Sequence, residues 1–142
     1  MREIIGVCLG ASSISFVKIK DENGLKNVED VLTVLHNGDP KRIFKEKLTQ
    51  FTGIDNRIIP IVVTGRKFRK LVKFTNISES EAVEYAFTHL NKNNEPFSAI
   101  ASLGGETFMV YTIDDEGKIS NVITGNQCAS VPGNFSFSRS KE

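Results

Sequence analysis

Residues 4 to 20, IIGVCLGASSISFVKIK, decide the fold. Ile4 to Leu9 is an apolar run of strand length, too short for a helix. Gly10-Ala11-Ser12-Ser13 follows as a turn of small residues. From Ile14 to Lys20 the chain alternates, with Ile14, Phe16 or Val17, and Ile19 set against Ser15, Lys18 and Lys20. That period of two marks a half-buried strand. Asp21-Glu22-Asn23-Gly24 signals another turn, and Val28 to Leu35 is rich in Val and Leu. Strands joined by tight turns predict an antiparallel meander.

Beyond the meander the period changes. Asp39-Pro40 predicts a helix start, with Asp as the cap and Pro at the first helical position. Phe44, Leu48 and Phe51 recur at helical spacing, Ile43 widens the stripe, and Gly53 is a natural stop. Ile58 to Val63 (IIPIVV) reads as a buried strand, parallel to the first because a helix crosses over to it. Pro60 is unusual in a central strand. Ser78-Glu79-Ser80-Glu81 has capping-box spacing, and Ala82, Val83, Ala86, Phe87 and Leu90 then line one helix face. Phe97 to Leu103 reads as a strand turned by Gly104-Gly105. Thr107 to Ile113 returns, Asp114-Asp115-Glu116-Gly117 turns again, and Lys118 to Ile123 follows. The order β-β-β-α-β-α-β, then a hairpin, predicts an α/β fold of the ribonuclease-H-like type with a mixed sheet. Residues 1–135 would form this lobe and 136–142 a polar tail, with no second lobe in the chain.

Composition excludes some classes. At 142 residues the chain suffices for one domain with a core, and 39% hydrophobic with 25% charged residues is ordinary for a soluble protein. A net charge of +1 points to no polyanionic partner, so nucleic acid is not expected. No apolar run approaches the ~20 residues of a membrane span, so no membrane partner is expected either. The amino terminus enters a strand pattern without a signal-peptide layout. Cys8 and Cys128 are too few for a disulfide framework, which favours a reducing cytoplasm.

Three segments could carry chemistry. Gly10, Ala11, Ser12 and Ser13 can bring backbone N–H groups and hydroxyls close to an anion. Gly104, Gly105 and Glu106, between Leu103 and Thr107, repeat the strand–glycine–strand design, and two such hairpins can grip a phosphate chain from two sides. Read alone, each is also an ordinary tight hairpin. The third segment is Gly125 to Gly133, where Cys128 lies in a polar, glycine-flanked loop. An accessible thiolate there could ligate a soft metal or an iron–sulfur cluster, although a lone cysteine is more often a plain thiol.

Together these residues resemble the ATPase activators of 2-hydroxyacyl-CoA dehydratases and the related benzoyl-CoA reductase ATPase subunits. The resemblance runs collinearly from about Ile4 to Phe135. It rests on Gly6-Val7-Cys8-Leu9-Gly10-Ala11-Ser12-Ser13, Val62-Val63-Thr64-Gly65, Ile77-Ser78-Glu79, Ser102-Leu103-Gly104-Gly105-Glu106-Thr107, Asp114 to Lys118, and Asn126-Gln127-Cys128-Ala129-Ser130. It implies the actin and sugar-kinase type of fold, ATP or ADP with Mg²⁺ at the glycine hairpins, and Cys128 as a ligand of a [4Fe–4S] cluster. It also implies a homodimer, or a second activase domain in the same polypeptide, acting on a dehydratase or reductase component.

The chain departs from that family where charge handles metal. The aspartate of the first hairpin is Cys8, and that of the second is Ser102. Magnesium prefers hard oxygen ligands. Val131-Pro132-Gly133 replaces a flexible Gly-Thr-Gly after the cysteine. The glycines Gly10, Gly104 and Gly105 are kept. The expectation is a retained fold with degenerate phosphate motifs and a structural or pairing role. The alternatives are an authentic ATP-dependent electron-transfer activator and a non-enzymatic polyanion-binding module. The last would use Arg66, Lys67, Arg69, Lys70 and Lys73, which are otherwise expected to form a solvated basic face. Cys8, inside an apolar strand, is expected to be a buried thiol, Glu79 and Glu81 to serve helix capping, and His36 and His89 to have no ligand partner.

Overall fold

The structure, a computed structural model, describes residues 2–52, 58–66, 68–93, 95–104 and 107–126. The meander forms as the sequence predicts, from β1 (Arg2–Leu9), β2 (Ser13–Glu22) and β3 (Leu25–Leu35). Asn23 and Gly24 make the second turn, both at positive φ (55° and 86°), the conformation that matches a two-residue loop to the twist of its strands. The Gly24 N–H donates to Asp21 Oδ1 at 2.9 Å and fixes the turn.

Helix α1 (Pro40–Thr52) starts where Asp39 caps it: Asp39 Oδ1 accepts the Arg42 N–H at 3.1 Å. It buries Phe44 and Phe51, with Ile43 and Leu48 packed alongside. These meet Ile5, Val7, Leu9, Ile14, Phe16 and Val63 from one face of the sheet. Phe16 is fully enclosed, its ring centroid 6.1 Å from Phe44 and 5.6 Å from Phe51. Register puts Val7 opposite Phe16, so alternation alone delivers this face to the helix.

β4 (Ile61–Thr64) runs parallel to β1, as the crossover requires. It is shorter than the apolar run predicts. Ile58 is 98% exposed, and Pro60 stays outside the ladder, offering only its carbonyl to the Ile5 N–H at 2.9 Å. A single turn of 3₁₀ helix (Arg69–Leu71) leads to β5 (Thr75–Asn76), which pairs parallel to β4. The five-stranded sheet has the order β3-β2-β1-β4-β5. At two residues, β5 is too short and too polar to show in hydrophobic periodicity.

Helix α2 (Glu79–Leu90) opens on a complete capping box. The Glu81 N–H donates to Ser78 Oγ at 3.2 Å, and the Ser78 N–H donates to Glu81 Oε2 at 2.8 Å. Its apolar face is only partly covered. Ala82, Val83 and Phe87 are half-buried, whereas Ala86 and Leu90 are exposed. β6 (Ala99–Leu103), β7 (Thr107–Ile113) and β8 (Ile119–Asn126) form a separate antiparallel sheet in the order β6-β7-β8. The strand after α2 therefore opens a second meander and adds nothing to the first sheet. Glu84 of α2 ties the two parts, accepting from Lys118 Nζ at 2.9 Å and from the Ile119 N–H at 3.1 Å.

Candidate functional site

Each meander closes its first hairpin with the same bond. The Gly10 N–H donates to the Ser13 carbonyl at 2.9 Å, and the Gly104 N–H donates to the Thr107 carbonyl at 2.9 Å. A Cβ built on either glycine would stand 2.9 Å from that same carbonyl oxygen, which is why both positions require glycine. Ser12 at the tip of the first hairpin is exposed, while Ala11 and Ser13 are half-buried. Gly105 and Glu106 lie outside the described residues, as do Cys128, Lys67, Gly53 and the tail.

His36 props the first hairpin from beneath, a role the sequence did not signal. It is 3% exposed, and its N–H donates to the Ser12 carbonyl at 3.1 Å. Its Nδ1 accepts the Gly38 N–H at 3.2 Å, which leaves the ring proton on Nε2, 3.3 Å from the Gly10 carbonyl. The ring also meets Phe68 edge-on at 5.6 Å.

Arg66 joins the two hairpins. Gly65, at φ 125°, lies so close to β1 that a Cβ there would stand 2.9 Å from the Leu9 carbonyl carbon and 3.1 Å from its nitrogen. Leu9 immediately precedes Gly10, so this contact seats Arg66 beside the first hairpin. The Arg66 side chain then reaches the second, donating from Nη1 to Thr107 Oγ1 at 2.6 Å.

Cys8 faces away from the core, because its neighbours Val7 and Leu9 face into it. It is thus exposed, against the expectation of a buried thiol. Enough protein surrounds it that partial burial, and then the Glu79 carboxylate, push the thiol pKa up. Glu79, the first residue of α2, is itself pushed up by burial, with Arg66 and Arg69 pulling the other way. Tyr111 on β7 is fully enclosed, and burial with the Glu79 charge raises it to about 12. Its hydroxyl donates to Met109 Sδ at 3.7 Å. Cys8, Glu79, Arg66 and Tyr111, from β1, α2, the β4 exit and β7, thus form one cluster beside the hairpins. Sequence reading gave Glu79 to helix capping; the capping box belongs to Ser78 and Glu81.

The expected solvated basic face holds only in part. Lys70 and Lys73 are exposed, but Arg69 is half-buried and donates from Nη1 to the Ile77 carbonyl at 3.0 Å. The reason is local: Phe68 and Val72 pack onto the core and draw Arg69 in with them.

Magnesium does not fit the donors described. At the two strand positions where the resemblance expects carboxylates, Cys8 offers a thiol whose pKa is pushed up and Ser102 a hydroxyl. Among the described residues, no group of three or more His, Cys, Asp or Glu side chains could hold a metal ion. The cluster itself sets one carboxylate, Glu79, near one guanidinium, Arg66, beside a thiol and a buried phenol.

The fold has counterparts among solved structures. The activator of 2-hydroxyisocaproyl-CoA dehydratase from Clostridium difficile, solved with ADPNP bound, superposes with a TM-score of 0.62 at 22% identity, over 89% of this chain and 47% of that one. The (R)-2-hydroxyglutaryl-CoA dehydratase component A of Acidaminococcus fermentans gives a TM-score of 0.62 at 17% identity, over 92% of this chain and 49% of that one. The PPX-GPPA enzyme of Aquifex aeolicus gives 0.53 at 13% identity, over 87% and 52%. The chain has the ribonuclease-H-like fold of the actin and sugar-kinase type that these structures share. It spans about half the length of each of them. No protein-family profile matches the sequence, and no curated protein does. Among the described residues, no helix is long and apolar enough to cross a membrane.

Proposed function

We propose that the chain is a domain of a CoA-substrate-specific enzyme activase, similar to the 2-hydroxyacyl-CoA dehydratase activators, with degenerate phosphate motifs and a structural or pairing role. The observation that carries this reading is the repeated hairpin. Gly10 and Gly104 make the same closing bond, yet a thiol and a hydroxyl stand where the resemblance expects carboxylates. The glycine turns that the resemblance assigns to a phosphate chain are kept in the sequence, and the carboxylates it expects beside them are replaced. An actin-like neighbour with ADPNP bound supports a nucleotide as the relevant ligand class.

In this reading the partners are a dehydratase or reductase component, and either a second copy or a second activase domain of the same polypeptide. The cytoplasm is its compartment. The test is ATP turnover and ADP binding with Mg²⁺ on the purified chain. The expected result is no Mg²⁺-dependent hydrolysis, and tight Mg²⁺-dependent binding would overturn the reading. An electron-injecting role would need Cys128 to hold a [4Fe–4S] cluster. Anaerobic iron–sulfide reconstitution giving a charge-transfer band that Cys128→Ser abolishes would decide for that role instead.

A further inference from the structure

We infer that β3 pairs with β3 of a second copy of this chain, edge to edge and antiparallel, over Val31 to Leu35. The inference rests on the pairing role proposed above and names the surface that serves it.

Hydrogen-bond phase is the first argument. The His36 N–H donates to the Ser12 carbonyl at 3.1 Å, so the backbone at His36 points at the first hairpin and β2. The register then runs without a shift from Ser13 opposite Leu35 to Val17 opposite Val31. Bonding direction alternates along an antiparallel strand, so Val34 and Leu32 also bond to β2. Val31, Thr33 and Leu35 therefore turn their N–H and C=O groups outward. Among the described residues, no strand pairs with that edge of β3. A two-fold axis through Thr33 sets it opposite Thr33 of the second copy, and sets Val31 opposite the second copy's Leu35. Each such pair exchanges both N–H···O bonds, so every outward group finds a partner.

Side chains are the second. Leu32 and Val34 pack against the core, so Val31, Thr33 and Leu35 lie on the opposite face of the sheet. Thr33 bonds there to the Ser15 hydroxyl at 2.9 Å, while Val31 and Leu35 are 61% and 66% exposed. The two-fold pairing covers each exposed Val31 with a Leu35. On the other face it sets Leu32 opposite Val34. Every apolar pair thus joins a β-branched side chain to a leucine, the kind of cross-strand contact that stabilises a sheet.

Charge is the third. Edge strands are ordinarily kept from pairing by charge, proline or a bulge. β3 carries such protection in its first half only, as Lys26, Glu29 and Asp30, with a register shift beside them and Glu29 paired to Lys20. From Val31 to Leu35 there is no charge, proline or glycine. Charge also selects the direction. A parallel pairing in register would set Asp30 against Asp30. The antiparallel one sends the two Asp30 residues to opposite ends of the paired segment, about 20 Å apart and beyond the ~8–10 Å over which salt lets them interact. A second copy therefore fits this edge without like-charge repulsion.

Sedimentation equilibrium over a dilution series, with amide hydrogen exchange on the same samples, tests this on the full chain. The expected result is a dimer in which the Val31, Thr33 and Leu35 amides are protected and lose that protection as dilution separates the copies. Leu32 and Val34, bonded to β2, should stay protected throughout. Thr33→Pro removes an outward N–H that β2 does not use, and Val31→Lys charges an exposed position, so both variants should fold and both should lose the dimer. A chain that stays monomeric up to the concentrations of the exchange experiment overturns the inference. So does a monomer whose Val31, Thr33 and Leu35 amides are already protected, since the chain's own residues would then cover the edge. A dimer that survives both variants overturns it as well, and its loss in Cys128→Ser would place the contact at that cysteine instead. The activase reading stands or falls separately, on the Mg²⁺-dependent turnover and binding described above.

Discussion

Gly65→Ala should be among the most damaging single-atom additions this chain can receive. Two separate effects act there. At φ 125° the backbone occupies a region essentially reserved for glycine, and forcing an L side chain into it costs about 1–3 kcal/mol. The new Cβ would also overlap the Leu9 carbonyl and stand 2.9 Å from its carbon. The obstacle is backbone in a central strand, which cannot swing aside, so a further ~1–3 kcal/mol of overpacking follows. The sum, about 2–6 kcal/mol, is a large part of the ~5–15 kcal/mol that holds a typical domain folded. Gly38→Ala is the matched control. Gly38 also has positive φ (85°), but a Cβ there would meet nothing within 4 Å. Its strain of about 1–2 kcal/mol is partly offset by the lower entropy of the unfolded chain. Urea unfolding followed by far-ultraviolet circular dichroism separates the two. With slopes of about 1–3 kcal/mol per molar, the Gly65 variant should lose roughly 1–3 M more midpoint than the Gly38 variant. Equal midpoints would refute the claim that β4's exit is pressed against β1, and with it the placement of Arg66.

Four further outcomes are expected. Phe16→Ala removes a fully enclosed ring between Phe44 and Phe51 and should cost about 3–5 kcal/mol in the same unfolding assay. Ser78→Ala opens the capping box and should cost about 1 kcal/mol, with Ser78→Gly milder. Glu84 is held below the usual glutamate range, first by the Ile119 N–H and then by Lys118. Its contribution is therefore full above the unfolded value of about 4.3 and lost as pH falls through the lower folded value. The stability gap between wild type and Glu84→Gln should be open at neutral pH and close in acid, as thermal melts across a pH series would record. Cys8 is exposed yet carries a raised pKa, so in a Cys128→Ser background iodoacetamide should alkylate it more slowly than a free thiol. Glu79→Gln lowers that pKa and should speed the reaction; an unchanged rate would remove Glu79 from the cluster.

What was legible in the sequence followed from short-range rules. The β1–β2–β3 meander, the Asp39 cap and the Ser78–Glu81 box each depend on residues within a few positions of one another, and each forms as expected. Periodicity also identified the α1 stripe, because Phe44 and Phe51 do meet a sheet. The same signal overstated α2, where Leu90 is 78% exposed, since periodicity reports a face able to be buried and says nothing of what covers it. β5 escaped because Thr75-Asn76 has neither length nor apolar content. The two glycine hairpins were visible as motifs, but not that both close with the same bond. The cluster beside them was not, because Cys8, Arg66, Glu79 and Tyr111 come from four segments far apart in the chain and no local rule connects them.

The position of Cys8 illustrates how far a substitution can be read before packing is known. In sequence it is a small apolar-compatible residue inside IIGVCL, which argues for burial. In the fold, strand alternation turns it away from Val7 and Leu9, toward Glu79 and Tyr111. A carboxylate at this position would face Glu79, and two like charges so placed push each other's pKa up. A thiol, neutral in these surroundings, adds no charge to the cluster.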